Sequence, residues 1–340
     1  MKSVSLIVLF SFMFLFSCSS SSTVENKKEK LPEGYIWYFP NKEVGNKLEE
    51  ISESIKLINN LTFYKVYSFP KGEITNKELG QKGLLEKALA VSTISQTSSG
   101  TATIISVSST KVALLTAAHI ISYPDTIVNY FSNNGIETKF IESVLIKERQ
   151  KIYSDLPGGG LLRIIAKDDK NDIAIVGNSF RHVTPIEFHP LMYKLGNAKE
   201  LKWGSFVYIF GFPVHNKMVT HAIVSNPDFD GEGAFFIDAV INRGASGGLI
   251  LAIRGSVPNF EIVGIVSAVP AERNYVLTPN KTSANENFIL GESYEGKMTV
   301  EQINFLKYGV SRVVPVEKIR EFIKKYDKKM KEQGYVIDLN

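Results

Sequence analysis

Val112-Ala-Leu-Leu-Thr-Ala-Ala-His119 is an apolar run that ends on an imidazole. It predicts a strand that delivers His119 just past its end. On either side of it, short runs of similar texture recur between turn residues: Thr103 to Val107, Gly160 to Ala166, Ile173 to Val176, Ser205 to Phe210, Ala234 to Val240, Gly248 to Ile253 and Ile262 to Ala268. Many short strands at close spacing, with helices only at the ends, predict an all-β unit over about residues 90–315, either a sandwich or a pair of barrels. No repeat of solenoid period is found.

The flanks read differently. Val44, Leu48, Ile51, Ile55 and Ile58 recur at steps of three and four, with Glu49, Glu50, Glu53 and Lys56 on the other face, which predicts an amphipathic helix. Leu61 to Phe69 is aromatic and β-branched and reads as a strand, and Lys77 to Leu89 as a short helix bent at Gly80 and Gly83. These are expected to form a small α/β N-terminal extension, residues 34–89, beside a main domain at 90–330. Val316, Ile319, Phe322 and Ile323 predict a C-terminal helix between Pro315 and Gln333, with 331–340 as a tail.

With 44% hydrophobic and 22% charged residues the chain is globular, not disordered. Its 39 basic and 35 acidic residues are spread along the chain, too diffuse for a nucleic-acid partner. Lys2 precedes an apolar stretch, Val4 to Phe16, shorter than the roughly 20 residues of a membrane-spanning helix and suited to a signal-peptide core. Ser17-Cys18 at its end resembles the lipobox of bacterial lipoproteins. That implies a signal peptide at 1–17, a lipid on Cys18 that anchors the chain to a membrane, and a flexible Ser-, Lys- and Glu-rich tether at 18–33. Ser19 and Ser20 lack the acidic residue that commonly retains lipoproteins at an inner membrane, so outer-membrane placement is expected. Cys18 is the sole cysteine, which excludes an intramolecular disulfide, a Cys-ligated zinc site and a Cys nucleophile.

Acyl transfer by serine needs a hydroxyl, a neighbouring base, a carboxylate that orients the base, and backbone donors for the oxyanion. Gly244-Ala-Ser-Gly-Gly248 nominates Ser246 as nucleophile, because glycine on both sides lets the backbone turn tightly. The N–H groups of Gly244 and Ser246 are the candidate oxyanion hole. His119 is the candidate base. Asp172, at the mouth of the apolar strand Ile173-Ala-Ile-Val176, is the candidate orienting acid, ahead of Asp168 and Asp169 in the polar run Lys167-Asp-Asp-Lys170.

Thr116-Ala-Ala-His119, Asn171-Asp-Ile-Ala-Ile-Val176 and Asp238-Ala-Val-Ile-Asn-Arg-Gly-Ala-Ser-Gly-Gly248 follow one another in the His, Asp, Ser order of trypsin-like (chymotrypsin-fold) serine proteases. They look most like the HtrA/Deg branch of bacterial envelope proteases. Val207 to Pro213 and Tyr308 to Pro315 resemble further segments of that branch. The resemblance, over about residues 90–325, implies two six-stranded β-barrels with the triad between them, hydrolysis of protein or peptide substrates through an acyl-enzyme, and no metal or organic cofactor. An α/β-hydrolase esterase would need its histidine last, and no histidine follows His221. A non-catalytic, protease-like binding lipoprotein is the alternative within the same fold.

Three departures from the HtrA pattern stand out. No segment fits a PDZ domain. Ala245 replaces the acidic or polar residue common before the nucleophile, so activation by a freed N-terminal amine is excluded. Val128 to Gly160 and Pro270 to Asn304 read as long insertions that could shape the cleft. For substrate binding, the resemblance implies that Val240, six residues before Ser246, stands where trypsin-like enzymes place the base of the primary pocket, and an apolar side chain there is expected to favour small or medium apolar residues. Gly264 to Val269, with Ser267 and Ala268, is the expected edge strand for substrate backbone.

Overall fold

The computed structural model describes residues 34–40, 43–108, 110–133, 136–181, 185–239, 241–268, 271–279, 298–306 and 309–339. A helix, α1 (Gly45–Glu53), leads into β1 (Ile55–Ser68), β2 (Ala90–Val107), β3 (Lys111–Thr116), the single turn α2 (Ala118–Ile121), β4 (Thr126–Asn133), β5 (Ile136–Ser154), β6 (Leu161–Asp168) and β7 (Ile173–Ser179). These strands pair in the order β1-β2-β3-β7-β6-β5-β4, and β1 also pairs with β5. That extra pairing closes a six-stranded antiparallel barrel, with β4 added outside it on β5.

After the turn α3 (Pro185–Phe188) come β8 (Phe206–Gly211), β9 (Met218–Asn226), β10 (Phe235–Ile237), β11 (Leu249–Ile253), β12 (Phe260–Ala268), β13 (Ala271–Pro279), β14 (Met298–Leu306), β15 (Ser311–Pro315) and helix α4 (Val316–Glu332). Here β10-β15-β12-β11-β8-β9 close a second six-stranded barrel, while among the described residues β13 and β14 pair only with each other. The fold is therefore a pair of antiparallel barrels with a C-terminal helix, as in the chymotrypsin fold.

The unbroken apolar texture of the central strands has a packing cause. On β3, Val112 and Leu114 face the first barrel's interior with Ile58, Ile104 and Phe188, whereas Ala113 and Leu115 lie on the outer face. That outer face is covered by Ile319, Phe322 and Met330 of α4, which also touch Ile265 and Val314 of the second barrel. With both faces buried, a strand has no polar positions to alternate with. Burial of Phe322 or Ile319 contributes about 1.5–3 kcal/mol each, so α4 ties the two barrels together from outside.

Several boundaries differ from the sequence reading. The predicted helix stops at Glu53, and Ile55 and Ile58 belong to β1, because pairing with β2 on one side and β5 on the other outweighs the local helical spacing. The first barrel thus reaches back to residue 55 instead of starting at 90. Over Lys77 to Leu89 only Leu84–Lys87 is helical, as one 3-10 turn. The Val128 to Gly160 segment is no mere insertion, since β5 is a stave of the barrel. Of the expected 331–340 tail, residues 331 and 332 still belong to α4 and 333–339 are docked: Tyr335 is buried beside α4, and the Leu195 N–H donates to Leu339 O at 3.3 Å.

The segment before α1 belongs to the second barrel. Ile36 N–H donates to Ile253 O at 3.0 Å, and Phe206 N–H to Ile36 O at 2.9 Å. Beside it the Tyr35 hydroxyl donates to Glu261 Oε2 at 2.7 Å, and Arg254 Nε reaches both oxygens of that buried carboxylate. Burial pushes the Glu261 carboxyl up, but the hydrogen bonds from Tyr35, Lys194 and Arg254 outweigh it and hold it below its ordinary value.

Candidate active site

His119 is placed by the strand that precedes it. β3 runs into Ala117 and Ala118, both buried, and Ile120 and Ile121 plug the first barrel's core, so the imidazole is the side chain of α2 left on the open side. Its Nδ1 lies 3.0 and 2.9 Å from the two oxygens of Asp172, and its backbone N–H donates to Asp172 Oδ1 at 2.9 Å. A carboxylate only accepts, so Nδ1 carries a proton, and in the neutral ring Nε2 is the acceptor.

Asp172 owes its position to the β6–β7 turn. It adopts φ of 57°, a left-handed conformation that Asp tolerates better than most residues. Its neighbour Asp168 is occupied within the turn, accepting from the N–H groups of Lys170 and Asn171 at 3.1 Å. Asp169 faces Ser122 and Lys167. Of the three acids named from sequence, only Asp172 touches His119.

The imidazole is 48% exposed and the carboxylate 19%, so the pair has one wet end and one shielded end. Burial pushes the Asp172 carboxyl up. The hydrogen bonds and charge of His119, with the hydrogen bond from Ser267, outweigh that and keep it ionised below the ordinary carboxylate range.

The glycines around Ser246 are required. Gly244 has φ of 99°, and a Cβ there would stand 2.2 Å from Phe212 O. Gly247 has φ of 77°, and its Cβ would stand 2.2 Å from Thr101 O. The turn also fixes two amides. Arg243 O accepts from Val214 N–H at 2.9 Å and Ala245 O from Gly248 N–H at 2.8 Å. In a trans peptide the N–H points opposite its carbonyl, so the Gly244 and Ser246 N–H groups face away from those partners. Among the described residues neither has an acceptor.

Ser246 itself is half-buried, and its hydroxyl donates to Ser267 O at 3.3 Å. Among the described residues no hydrogen bond joins it to His119. The Ser246 carbonyl accepts from Thr101 N–H at 2.7 Å, and Thr101 Oγ1 donates to Gly244 O at 2.8 Å while accepting from Phe212 N–H at 2.9 Å. A buried residue of β2 thus holds the glycine turn of the other barrel. Nothing in the local sequence around Thr101 marks it, because the contact spans 143 positions.

The substrate-binding expectations fare differently. Val240 lies outside the described residues. Ser267, expected along an edge strand, is buried and its hydroxyl donates to Asp172 Oδ2 at 2.5 Å. Nor is Gly264 to Val266 an edge, for β12 pairs with β11 on one side and β15 on the other, as barrel closure demands. Ala268, the last residue of β12, stands opposite Arg312. Cys18 also lies outside the described residues. Among those described, no cluster of His, Cys, Asp and Glu could hold a metal ion, and no helix is long and apolar enough to cross a membrane.

Comparison with protein families finds that residues 100–258 match the trypsin-like peptidase domain. The matched stretch contains His119, Asp172 and Ser246 and ends just before β12. No curated protein matches the chain. The match and the two closed barrels agree with a chymotrypsin fold and support a function of the serine-protease type.

Proposed function

We propose that this chain is a serine endopeptidase in which Ser246 is the nucleophile, His119 the general base and then acid, Asp172 the orienting carboxylate, and the Gly244 and Ser246 N–H groups the oxyanion donors. The observation that carries the reading is the paired contact of His119 Nδ1 with both oxygens of Asp172, which leaves Nε2 basic on the open side. Ser246 Oγ turns from Ser267 O, loses its proton to Nε2 and bonds to the substrate carbonyl carbon. Collapse of the tetrahedral adduct breaks the C–N bond, and His119 protonates the departing amine. Water then repeats the sequence on the acyl-enzyme. These steps call on no cofactor.

The expected substrates are proteins or peptides, with small or medium apolar residues favoured before the scissile bond through Val240. The expected location is the cell envelope, with a lipid on Cys18 holding the domain to the outer membrane. The motifs around His119, Asp172 and Ser246 support a place in the HtrA/Deg branch.

Hydrolysis of casein by the wild type and not by Ser246→Ala, with a fluorophosphonate probe attached to Ser246, is the expected result. The Ser246 to Ser267 hydrogen bond favours a second reading, a non-catalytic binding protein on the same fold. A folded protein whose Ser246 never takes the probe would favour it. For the anchor, uptake of a fatty-acid analogue by the wild type and none by Cys18→Ser is expected.

A further inference from the structure

β2 pairs with β1 from Ala90 opposite Ser68 to Thr103 opposite Ile55, with no register shift. On its other side β3 reaches only Ala102 to Val107. Among the described residues no strand pairs with residues 90–99 on that side. The direction of the open groups follows from parity. Thr101 N–H points away from β1, to Ser246 O. Alternate residues of a strand present their N–H and C=O groups to the same side, so Ser99, Thr97, Ser95, Thr93 and Val91 face outward too. From Ser99 to Val91 the row is about 27 Å long, at ~3.4 Å per residue.

This edge is undefended. Proteins blunt open edges with lysine, proline, bulges or short length, because a free row of N–H and C=O groups templates a further strand. The ten residues Ala90-Val-Ser-Thr-Ile-Ser-Gln-Thr-Ser-Ser99 carry no charge, no proline and no bulge, and Val91 and Ile94 are exposed. The sheet behind them is firm. Tyr64 is buried with its hydroxyl donating to Pro124 O at 2.8 Å, and Phe69, Ile74 and Leu84 pack against Ile141 and Val144.

The edge also leads to the reacting groups. Thr101 bonds the Ser246 carbonyl, and Ser98 Oγ donates at 2.6 Å to Ile120 O, on the turn that carries His119. In serine acyl transfer the histidine protonates the leaving amine. The substrate segment beside the His119 turn is therefore the one that follows the scissile bond. It runs out of the cleft where β2 runs in, which is the antiparallel sense.

We propose that the outward edge of β2, from Ser99 back to Val91, is a strand-addition site for the substrate segment that follows the scissile bond; this rests on the peptidase reading above. Main-chain pairing gives affinity with little regard to side chains. The substrate class is thus extended or unfolded polypeptide with about ten residues beyond the cleaved bond, at ~3.4 Å per residue along the edge.

The test gives the full-length protein two peptides with the same residues around the scissile bond, one with a short and one with a long segment after it. The long peptide is expected to show kcat/KM higher by about tenfold or more. In Thr93→Pro and Ser95→Pro the ring removes an outward N–H and spares the β1 ladder, and the ratio between the two peptides is expected to fall towards one. A second measurement needs no variant: N-methylation along the long peptide is expected to abolish the gain at alternate positions only. Equal rates for the two peptides, or an N-methyl effect without alternation, overturns the inference and leaves the peptidase reading standing. Cleavage of neither peptide overturns both. Equal rates together with a concentration-dependent dimer that Thr93→Pro dissolves would assign the edge to a second copy of the chain instead.

Discussion

Thr101 stands on the first barrel and Ser246 on the second, and the Thr101 N–H donates to the Ser246 carbonyl at 2.7 Å. The Thr101 hydroxyl extends the tie to Gly244 O and to Phe212 N–H. With alanine at 245 there is no carboxylate beside Ser246 to lock the turn by an ion pair. The neutral threonine bridge holds it instead.

Thr101→Val keeps the shape and removes the hydroxyl, leaving Gly244 O and Phe212 N–H without that partner. The expected cost is about 1–3 kcal/mol in urea denaturation, with kcat lowered more than KM. Thr101→Ser should restore both. A valine variant with unchanged kcat would show that the bridge does not position Ser246.

Gly244→Ala places a Cβ 2.2 Å from Phe212 O at a φ of 99°, so the turn has to move. On the proposed peptidase reading, a displaced oxyanion donor costs about 10²–10³ in kcat. The rate of fluorophosphonate labelling is expected to fall accordingly, with the far-ultraviolet circular dichroism of the barrels retained.

Asp172 links the site to acid stability. Its carboxyl is held below the ordinary range, because the bonds from His119 and Ser267 outweigh burial. A depressed folded pKa contributes stability that is full above the unfolded pKa and is lost as pH falls through the folded one. The stability difference between wild type and Asp172→Asn, from urea denaturation, is therefore expected to be largest near neutral pH and to shrink towards acid. Ser267→Ala removes one of those bonds, so the acid loss should begin at a higher pH.

Phe322→Ala opens a cavity between α4 and both barrels, since Phe322 shares one apolar cluster with Ile173, Ile175, Ile265 and Val314. The expected loss is about 3–5 kcal/mol. Calorimetry that still gave one transition at an unchanged temperature would show that the helix does not hold the barrels together.

What was legible in the sequence was local. The apolar texture of Val112 to Thr116 marks a strand, and the glycines around Ser246 mark a turn that no larger residue can make. Asp172 stands out from Asp168 because one opens an apolar strand and the other sits in a polar run. The helical spacing of Ile55 and Ile58 misled for the same reason: it is local, and strand pairing to residues far along the chain overrode it.

Sequence alone determined the order of His119, Asp172 and Ser246, the β-rich character of the chain and the C-terminal amphipathic helix, since each depends on residues within a few positions of one another. Tertiary structure alone decided that Asp172 meets His119 across 53 positions, that Thr101 holds Gly244 across 143, and that Ser267 turns its hydroxyl to Asp172. It also decided which strands have edges. Closure of the second barrel by β15 covers Gly264 to Val266, while among the described residues the early end of β3 leaves Val91 to Ser99 unpaired on that side. Such pairings are set by how distant segments fill one another's hydrogen bonds and cores, and no stretch of neighbouring residues encodes that by itself.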